Sequence, residues 1–139
     1  DAKTEMTASQ WLAYCDRQKL LSGTRLTVAQ ATLIFVEVYD NGFLERVMDE
    51  AMTLDQARGI AMGTLKKKQR KPPVIVMKGF EECIVRAANA YYTNSSEITT
   101  LAMRVTNFVL ELLDTHHAAA ARGQDSFTGN RGYESGDDY

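Results

Sequence analysis

Apolar residues recur every three or four positions along most of this chain, the spacing that places them on one face of an α-helix. The pattern predicts six helices, over residues 7–21, 27–39, 43–51, 53–68, 73–92 and 95–121. The second is apolar on most of its sides, which is typical of a helix at the centre of a domain. We therefore expect an all-α fold of five to six helices.

Capping signals mark the starts of these helices. In a capping box, a Ser or Thr side chain caps a free N–H of the first turn, and a Glu or Gln three residues later reaches back to the N–H of the cap residue. Three Thr–Gln pairs have this spacing: Thr7–Gln10, Thr27–Gln30 and Thr53–Gln56. Asn94 and Glu97 form a close variant, so four helix starts carry a capping signal.

The domain organisation follows from this pattern. The helical pattern predicts that residues 1–121 form one domain, in which a compact N-terminal cluster precedes a long antiparallel hairpin over 73–121. Inward positions of the hairpin include Met77, Phe80, Leu101 and Phe108. Both of its helices also carry apolar residues outside the main stripe, which suits either the core of the domain or a subunit interface.

Residues 122–139 differ in composition from the rest. They contain four glycines and no aliphatic residue, which predicts an irregular C-terminal arm. Three aromatic residues are spaced along it: Phe127, Tyr133 and Tyr139. Aromatic side chains on a flexible backbone could anchor in pockets of a protein partner. A tail that serves only solubility is the alternative.

Charge is strongly segregated, although the net charge is only -2. Residues 58–78 contain no acidic residue, and their basic residues are Arg58, Lys66, Lys67, Lys68, Arg70, Lys71 and Lys78. One or two lysines would offset the negative end of a helix, and this cluster exceeds that role. We expect a positive ridge that contacts nucleic-acid phosphates. An acidic protein surface, a nuclear localisation signal and simple solvation are the alternatives.

Catalytic chemistry has little support in the sequence. His116 and His117 are neighbours on a helix and point about 100° apart, so they cannot easily chelate one metal. Cys15 and Cys83 lie among apolar residues, which favours buried free thiols. A Cys83–His116 dyad is the one enzymatic arrangement available, and no cleft or oxyanion site accompanies it. Gly59 and Gly63, four apart on a helix, suit close helix packing better than nucleotide binding. We expect no enzyme activity, no cofactor and no metal.

The sequence also bears on localisation. No apolar run approaches the roughly 18 residues of a membrane span. No signal-peptide pattern is visible. We therefore expect a protein of the cytoplasm or of a viral particle, not secreted and without a membrane partner.

Residues 26–73 resemble the N-terminal helix-turn-helix region of small terminase subunits from tailed phages. The shared pattern is Leu-Thr, a Gln, a Phe-Val-x-x-Tyr stretch, a Gly turn, a short helix, and a third helix that ends in a basic segment before proline. The matching residues are Leu26, Thr27, Gln30, Phe35, Val36, Tyr39, Gly42, Ala51, Ala57, Leu65 and Lys66. Ala51-Met52-Thr53-Leu54 stands where the family has an Ala-Gly-Tyr-Ser corner.

The resemblance implies a helix-turn-helix-like unit over 26–72 in a ring-forming DNA-recognition subunit. Its later helices would oligomerise, and its tail would contact a partner such as the motor subunit. The resulting hypothesis is a non-enzymatic, oligomeric assembly protein that binds nucleic acid through its basic segment. The alternative is a purely structural subunit of a virion or other multi-protein particle, with the C-terminal arm docked on a neighbouring subunit.

Overall fold

A computed structural model describes residues 4–67 and 71–125, with side chains described to Asp114. Within these residues the fold is mostly helical, as expected, with six helices and one small sheet. The helices are α1 (Ala8–Arg17), α2 (Val28–Tyr39), α3 (Phe43–Val47), α4 (Leu54–Lys66), α5 (Met77–Tyr91) and α6 (Leu101–Asp125). None of them combines the length and the hydropathy that a membrane span needs.

A two-stranded antiparallel sheet corrects the all-α expectation. Strands β1 (Glu5–Thr7) and β2 (Val74–Val76) pair with Met6 opposite Ile75. β1 runs directly into α1, and β2 runs directly into α5. The predicted helix start at residue 73 is wrong because three consecutive β-branched residues favour extended backbone and find a partner strand. The helix begins instead at Met77.

The three Thr–Gln capping boxes are confirmed. Thr27 Oγ1 accepts a hydrogen bond from the Gln30 backbone N–H at 3.1 Å, and Gln30 Oε1 accepts one from the Thr27 N–H at 2.9 Å. The same reciprocal pair of bonds begins α1 and α4. Each box satisfies two N–H groups that a helix start would otherwise leave unpaired.

The predicted start of the last helix at residue 95 is wrong. Ser95 Oγ accepts hydrogen bonds from the backbone N–H groups of Glu97 and Ile98, so the chain turns at this point. α6 begins six residues later, where Thr100 Oγ1 accepts a hydrogen bond from the Met103 N–H. The Asn94–Glu97 signal therefore marks a turn and not a helix.

α2 lies at the centre of the fold, as its pattern predicts. It contacts α1, α3, α4, α5 and β2. Five of its twelve residues are buried, and Phe35 has no exposed surface. Trp11 of α1 donates a hydrogen bond from Nε1 to the Ala31 carbonyl at 2.9 Å and packs its ring edge-on against Phe80 of α5.

α2 and α4 run in the same direction, whereas α5 runs the opposite way to α2. The N-cap residues Thr27 and Thr53 line one cavity, and Tyr39 and Thr64 near the helix ends line another. Gly79 in the first turn of α5 approaches Val38 near the end of α2. The ends of α2 and α4 and the start of α5 therefore meet at one end of the molecule.

α6 packs chiefly against the C-terminal part of α5. Phe108 is fully buried and makes edge contacts with Tyr91 and Tyr92. The expected inward orientation of Met77 and Leu101 is wrong, because 54% and 51% of these residues is exposed.

The predicted boundary of the arm also needs correction. α6 continues to Asp125, so residues 122–125 are helical, although the arm was expected to begin at residue 122. The three aromatic residues proposed as anchors, Phe127, Tyr133 and Tyr139, lie outside the described residues.

Candidate nucleic-acid interface

Four of the seven predicted binding residues lie at the end of the molecule where α2 and α4 stop. Lys66 is the last residue of α4, and Lys67 is its C-cap. Lys71 precedes β2, and Lys78 lies in the first turn of α5. All four are exposed. We call this group the basic end (Lys66, Lys67, Lys71 and Lys78). Lys68 and Arg70 fall outside the described residues.

Contacts of neighbouring residues explain why these lysines come together. Lys67 shares a cavity with Tyr39 and Asp40 at the end of α2. Gly79, next to Lys78, lies so close to α2 that a Cβ atom there would stand 3.3 Å from Val38 Cγ1. Lys71 is four residues after Lys67, so the chain keeps their Cα atoms within about 14 Å. Residues that are distant in sequence thus lie at the same end of the fold.

Arg58 does not belong to this surface. It lines the cavity at the starts of α2 and α4, together with Thr27 and Thr53. The helical rise of about 1.5 Å per residue puts it roughly 12 Å from Lys66 along α4. Its Nε atom is buried and has no hydrogen-bond partner among the described residues. The structure therefore separates Arg58 from the lysines with which the sequence grouped it.

The lysines of the basic end form no ion pair within residues 4–67 and 71–114. The ion pairs in residues 4–67 and 71–114 are Arg46–Asp40 at 2.7 Å and Arg86–Glu82 at 2.9 Å. Asp40, which shares the Lys67 cavity, is thus already paired with an arginine. No lysine of the basic end has a carboxylate within 4.0 Å in the part of the chain that the structure describes. The four ammonium groups remain available to an anionic partner.

Helix dipoles account for part of this lysine cluster. Each helix carries partial negative charge at its C-terminus, and two such ends meet here. Lys66 and Lys67 offset that charge. Lys78 lies in the first turn of α5, where the partial charge of the helix is positive. The dipole therefore opposes a cation at Lys78 and does not explain its presence.

On the solvent side of α4, beside the basic end, two positions are glycines and project no side chain. Gly59 and Gly63 are exposed, and a Cβ atom at either would have no neighbour within 4 Å. The expectation that they support close helix packing within the chain is therefore wrong. Gln56, Gly59, Gly63 and Lys67 follow one another on this face at helical spacing. Another molecule can approach the α4 backbone here, and no signal in the sequence indicates this.

The two cysteines are free and fully buried, as predicted. Burial raises the pKa of the Cys15 thiol to about 12, and the neighbouring Cys83 adds to the shift. Burial likewise raises the pKa of the Cys83 thiol to about 12, against a smaller opposing influence of Arg86. A catalytic cysteine needs a lowered pKa. The environment of Cys83 therefore does not suit a nucleophile, and the His116 side chain lies outside the described residues.

Comparisons with protein families, curated proteins and solved structures found no match for this chain. The terminase-like resemblance of residues 26–73 stays a prediction. The support for any function comes from the geometry of the basic end and of the open face of α4 beside it.

Proposed function

We propose that this protein is a non-enzymatic, oligomeric assembly protein that binds the phosphate backbone of nucleic acid through its basic end. One observation carries the proposal. Lysines from the end of α4, the segment before β2 and the start of α5 share one end of the fold and lack carboxylate partners among the residues that the structure describes. Lys68 and Arg70, between them in sequence, would extend the surface. A terminase-like DNA-recognition subunit is the specific form of this proposal.

Phosphate binding by such a surface depends steeply on salt. Each phosphate that a lysine neutralises releases condensed counterions, which lowers log K by about 0.9 for each tenfold rise in salt. Sequence-specific contacts would have to come from other side chains beside the basic end. The proposal therefore concerns backbone binding first and leaves DNA and RNA as alternative targets.

Salt-dependent binding tests the proposal. We expect the full chain to bind a labelled DNA duplex in fluorescence anisotropy, with log K falling linearly with log salt. The substitution of Lys66, Lys67 and Lys71 by glutamine should reduce that slope by roughly 2 to 3. Lys19→Gln is the matched control, because Lys19 is exposed between α1 and α2, away from the basic end. An unchanged slope in the triple variant would refute the proposal.

A purely structural subunit is the second candidate. The exposed apolar side of α6, where Leu110 is 55% exposed, favours it because such surfaces mark contacts with other proteins. In that case the basic end would meet an acidic protein surface, and the arm would dock on a neighbour. The two candidates differ in one result: a structural subunit would show no binding to DNA or RNA at low salt.

A further inference from the structure

Tyr39, the last residue of α2, lies beside the basic end. Its side chain lines a cavity of about 530 Å³ together with Asp40, Thr64 and Lys67. This volume is within the range of roughly 300 to 1,000 Å³ that is usual for ligand pockets. An aromatic ring and an exposed lysine therefore line the same space, at the end of the molecule that is proposed to bind phosphates.

The core of the domain fixes the position of the Tyr39 ring. The ring stacks on that of Phe35, with centroids 6.5 Å apart and planes 13° from parallel. Phe35 has no exposed surface, whereas Tyr39 is only half-buried. A ring that is held in this way loses little conformational freedom when another flat group stacks on it. Nucleobases are groups of this kind, and they bind proteins by stacking on aromatic side chains.

The charge beside the ring favours a phosphate. Lys67 is exposed and forms no ion pair within residues 4–67 and 71–114. Asp40 also lines the cavity, but Arg46 pairs with its carboxylate at 2.7 Å. Two cations therefore stand against one carboxylate here, and the formal charge around the cavity is positive.

We propose that this cavity binds one nucleotide of a single strand, with the base stacked on Tyr39 and its phosphate beside Lys67. The proposal rests on the nucleic-acid binding of the proposed function and names the class of its substrate. Proteins that bind single strands combine aromatic side chains with a positive surface in this way. In a duplex the faces of each base are covered by its neighbours, so a ring inside a cavity can stack only on an unpaired base.

A preference for single strands would not arise from the lysines alone. Duplex DNA carries one phosphate per roughly 1.7 Å of its axis, about twice the density of one strand. A surface that binds only by charge therefore favours the duplex. Tighter binding of a single strand requires a contact with its bases, and the proposal assigns that contact to Tyr39.

Fluorescence anisotropy of the full chain at one low salt concentration tests the proposal. The labelled ligands are oligo(dT), its duplex with oligo(dA), and an abasic DNA strand of the same length, which keeps the phosphates and lacks the bases. We expect oligo(dT) to bind more tightly than the duplex, and at least about fivefold more tightly than the abasic strand. Oligo(U), titrated in parallel, distinguishes RNA from DNA as the preferred strand.

Substitution of Tyr39 locates the contact. Tyr39→Leu removes the ring and should weaken the binding of oligo(dT) by at least about fivefold, while the abasic strand binds as before. Tyr39→Phe keeps the ring and should retain the preference for oligo(dT). Ultraviolet cross-linking of the wild-type chain to oligo(dT), mapped by mass spectrometry, should attach the strand at Tyr39 and does not depend on a variant that folds.

Tyr91→Leu is the matched control. Tyr91 is also half-buried, but Arg25 lies over its ring at 4.8 Å from the centroid. The rise along α5 places it roughly 20 Å from Lys78. This variant should bind every ligand as the wild-type chain does. Circular dichroism checks that each variant is folded.

Four results would overturn the proposal: equal binding of oligo(dT) and the abasic strand, tighter binding of the duplex, a folded Tyr39→Leu variant that keeps the wild-type affinity for oligo(dT), or cross-links only at other residues. In each of these cases salt-dependent binding through the lysines would persist, so the proposed function would stand. The proposed function fails in a different way, which is that none of the ligands binds at low salt.

Discussion

α2 and α6 are both apolar on more than one side, yet the fold treats them differently. α2 contacts α1, α3, α4 and α5, which bury five of its twelve residues together with β2. α6 packs chiefly against α5, and four of its large apolar residues remain exposed: Met103, Val109, Leu110 and Leu113. An apolar residue off the main stripe therefore does not tell whether a helix is central or at an interface. The number of neighbouring helices decides, and that number is a property of the whole fold.

The largest expected effect comes from a truncation in α2. Phe35→Ala removes a fully buried ring and should lower the free energy of unfolding by about 3–5 kcal/mol. Leu110→Ala on the exposed side of α6 should change the free energy of unfolding by no more than about 0.5 kcal/mol when the chain is monomeric. Urea denaturation at low micromolar concentration measures both. Similar losses for the two variants would mean that α6 is covered within one chain.

Alkaline pH should lower the free energy of unfolding, because two thiols are buried in the core. Folding raises the pKa of both buried thiols from 9.0 to about 12, so the folded state holds protons that the unfolded chain loses above pH 9. Stability is therefore complete below pH 9 and declines as the pH rises toward 12, and each of the two thiols adds to the loss. The urea midpoint measured from pH 8 to 11 follows this loss.

Cys83→Ala provides the control for this pH effect, because it removes one of the two thiols and should halve their contribution to the slope. A cysteine introduced at Leu110 gives the opposite reference. It should react with a thiol reagent in the folded protein at pH 8, while Cys15 and Cys83 stay protected. Rapid reaction of the native thiols would contradict the burial on which the pH prediction depends.

The smallest expected effects come from two glycine-to-alanine substitutions. One, in α5, should lower the free energy of unfolding, and the other, in α4, should raise it. A Cβ atom at Gly79 would lie 2.9 Å from Ile75 Cβ, so Gly79→Ala forces β2 and α5 apart and should cost about 1–3 kcal/mol. Gly63 on α4 has no such neighbour, and Gly63→Ala should stabilise the fold by up to about 1 kcal/mol. Thermal denaturation of the two variants measures the difference. Stabilisation by Gly79→Ala would contradict the close approach.

Local signals in the sequence predicted the fold best. The Thr–Gln capping boxes depend on residues three positions apart, so they do not depend on how the rest of the chain folds. The Asn94–Glu97 pair failed because Ser95 binds the same backbone N–H groups that a helix start would use. The β1–β2 pairing was missed because three-residue strands show no periodicity and their partner is distant in sequence.

The candidate site was predicted by composition and located only by the fold. The run of lysines was visible in the sequence, and so was its position near a helix end. The removal of Arg58 from the cluster depends on the parallel arrangement of α2 and α4, which no local pattern encodes. The open face of α4 also could not be predicted from the sequence, because the pattern around a helical glycine is the same whether the glycine faces a neighbouring helix or solvent.

The short β1–β2 pairing has a consequence for how this chain folds. It joins the start of the described chain to the segment before α5, and α1 to α4 lie in the loop between. Isolated helices form within about a microsecond, whereas pairing distant segments must first overcome the entropy of closing a long loop. The β1–β2 pairing, six residues in two strands, should therefore form after the helices that lie between the two strands.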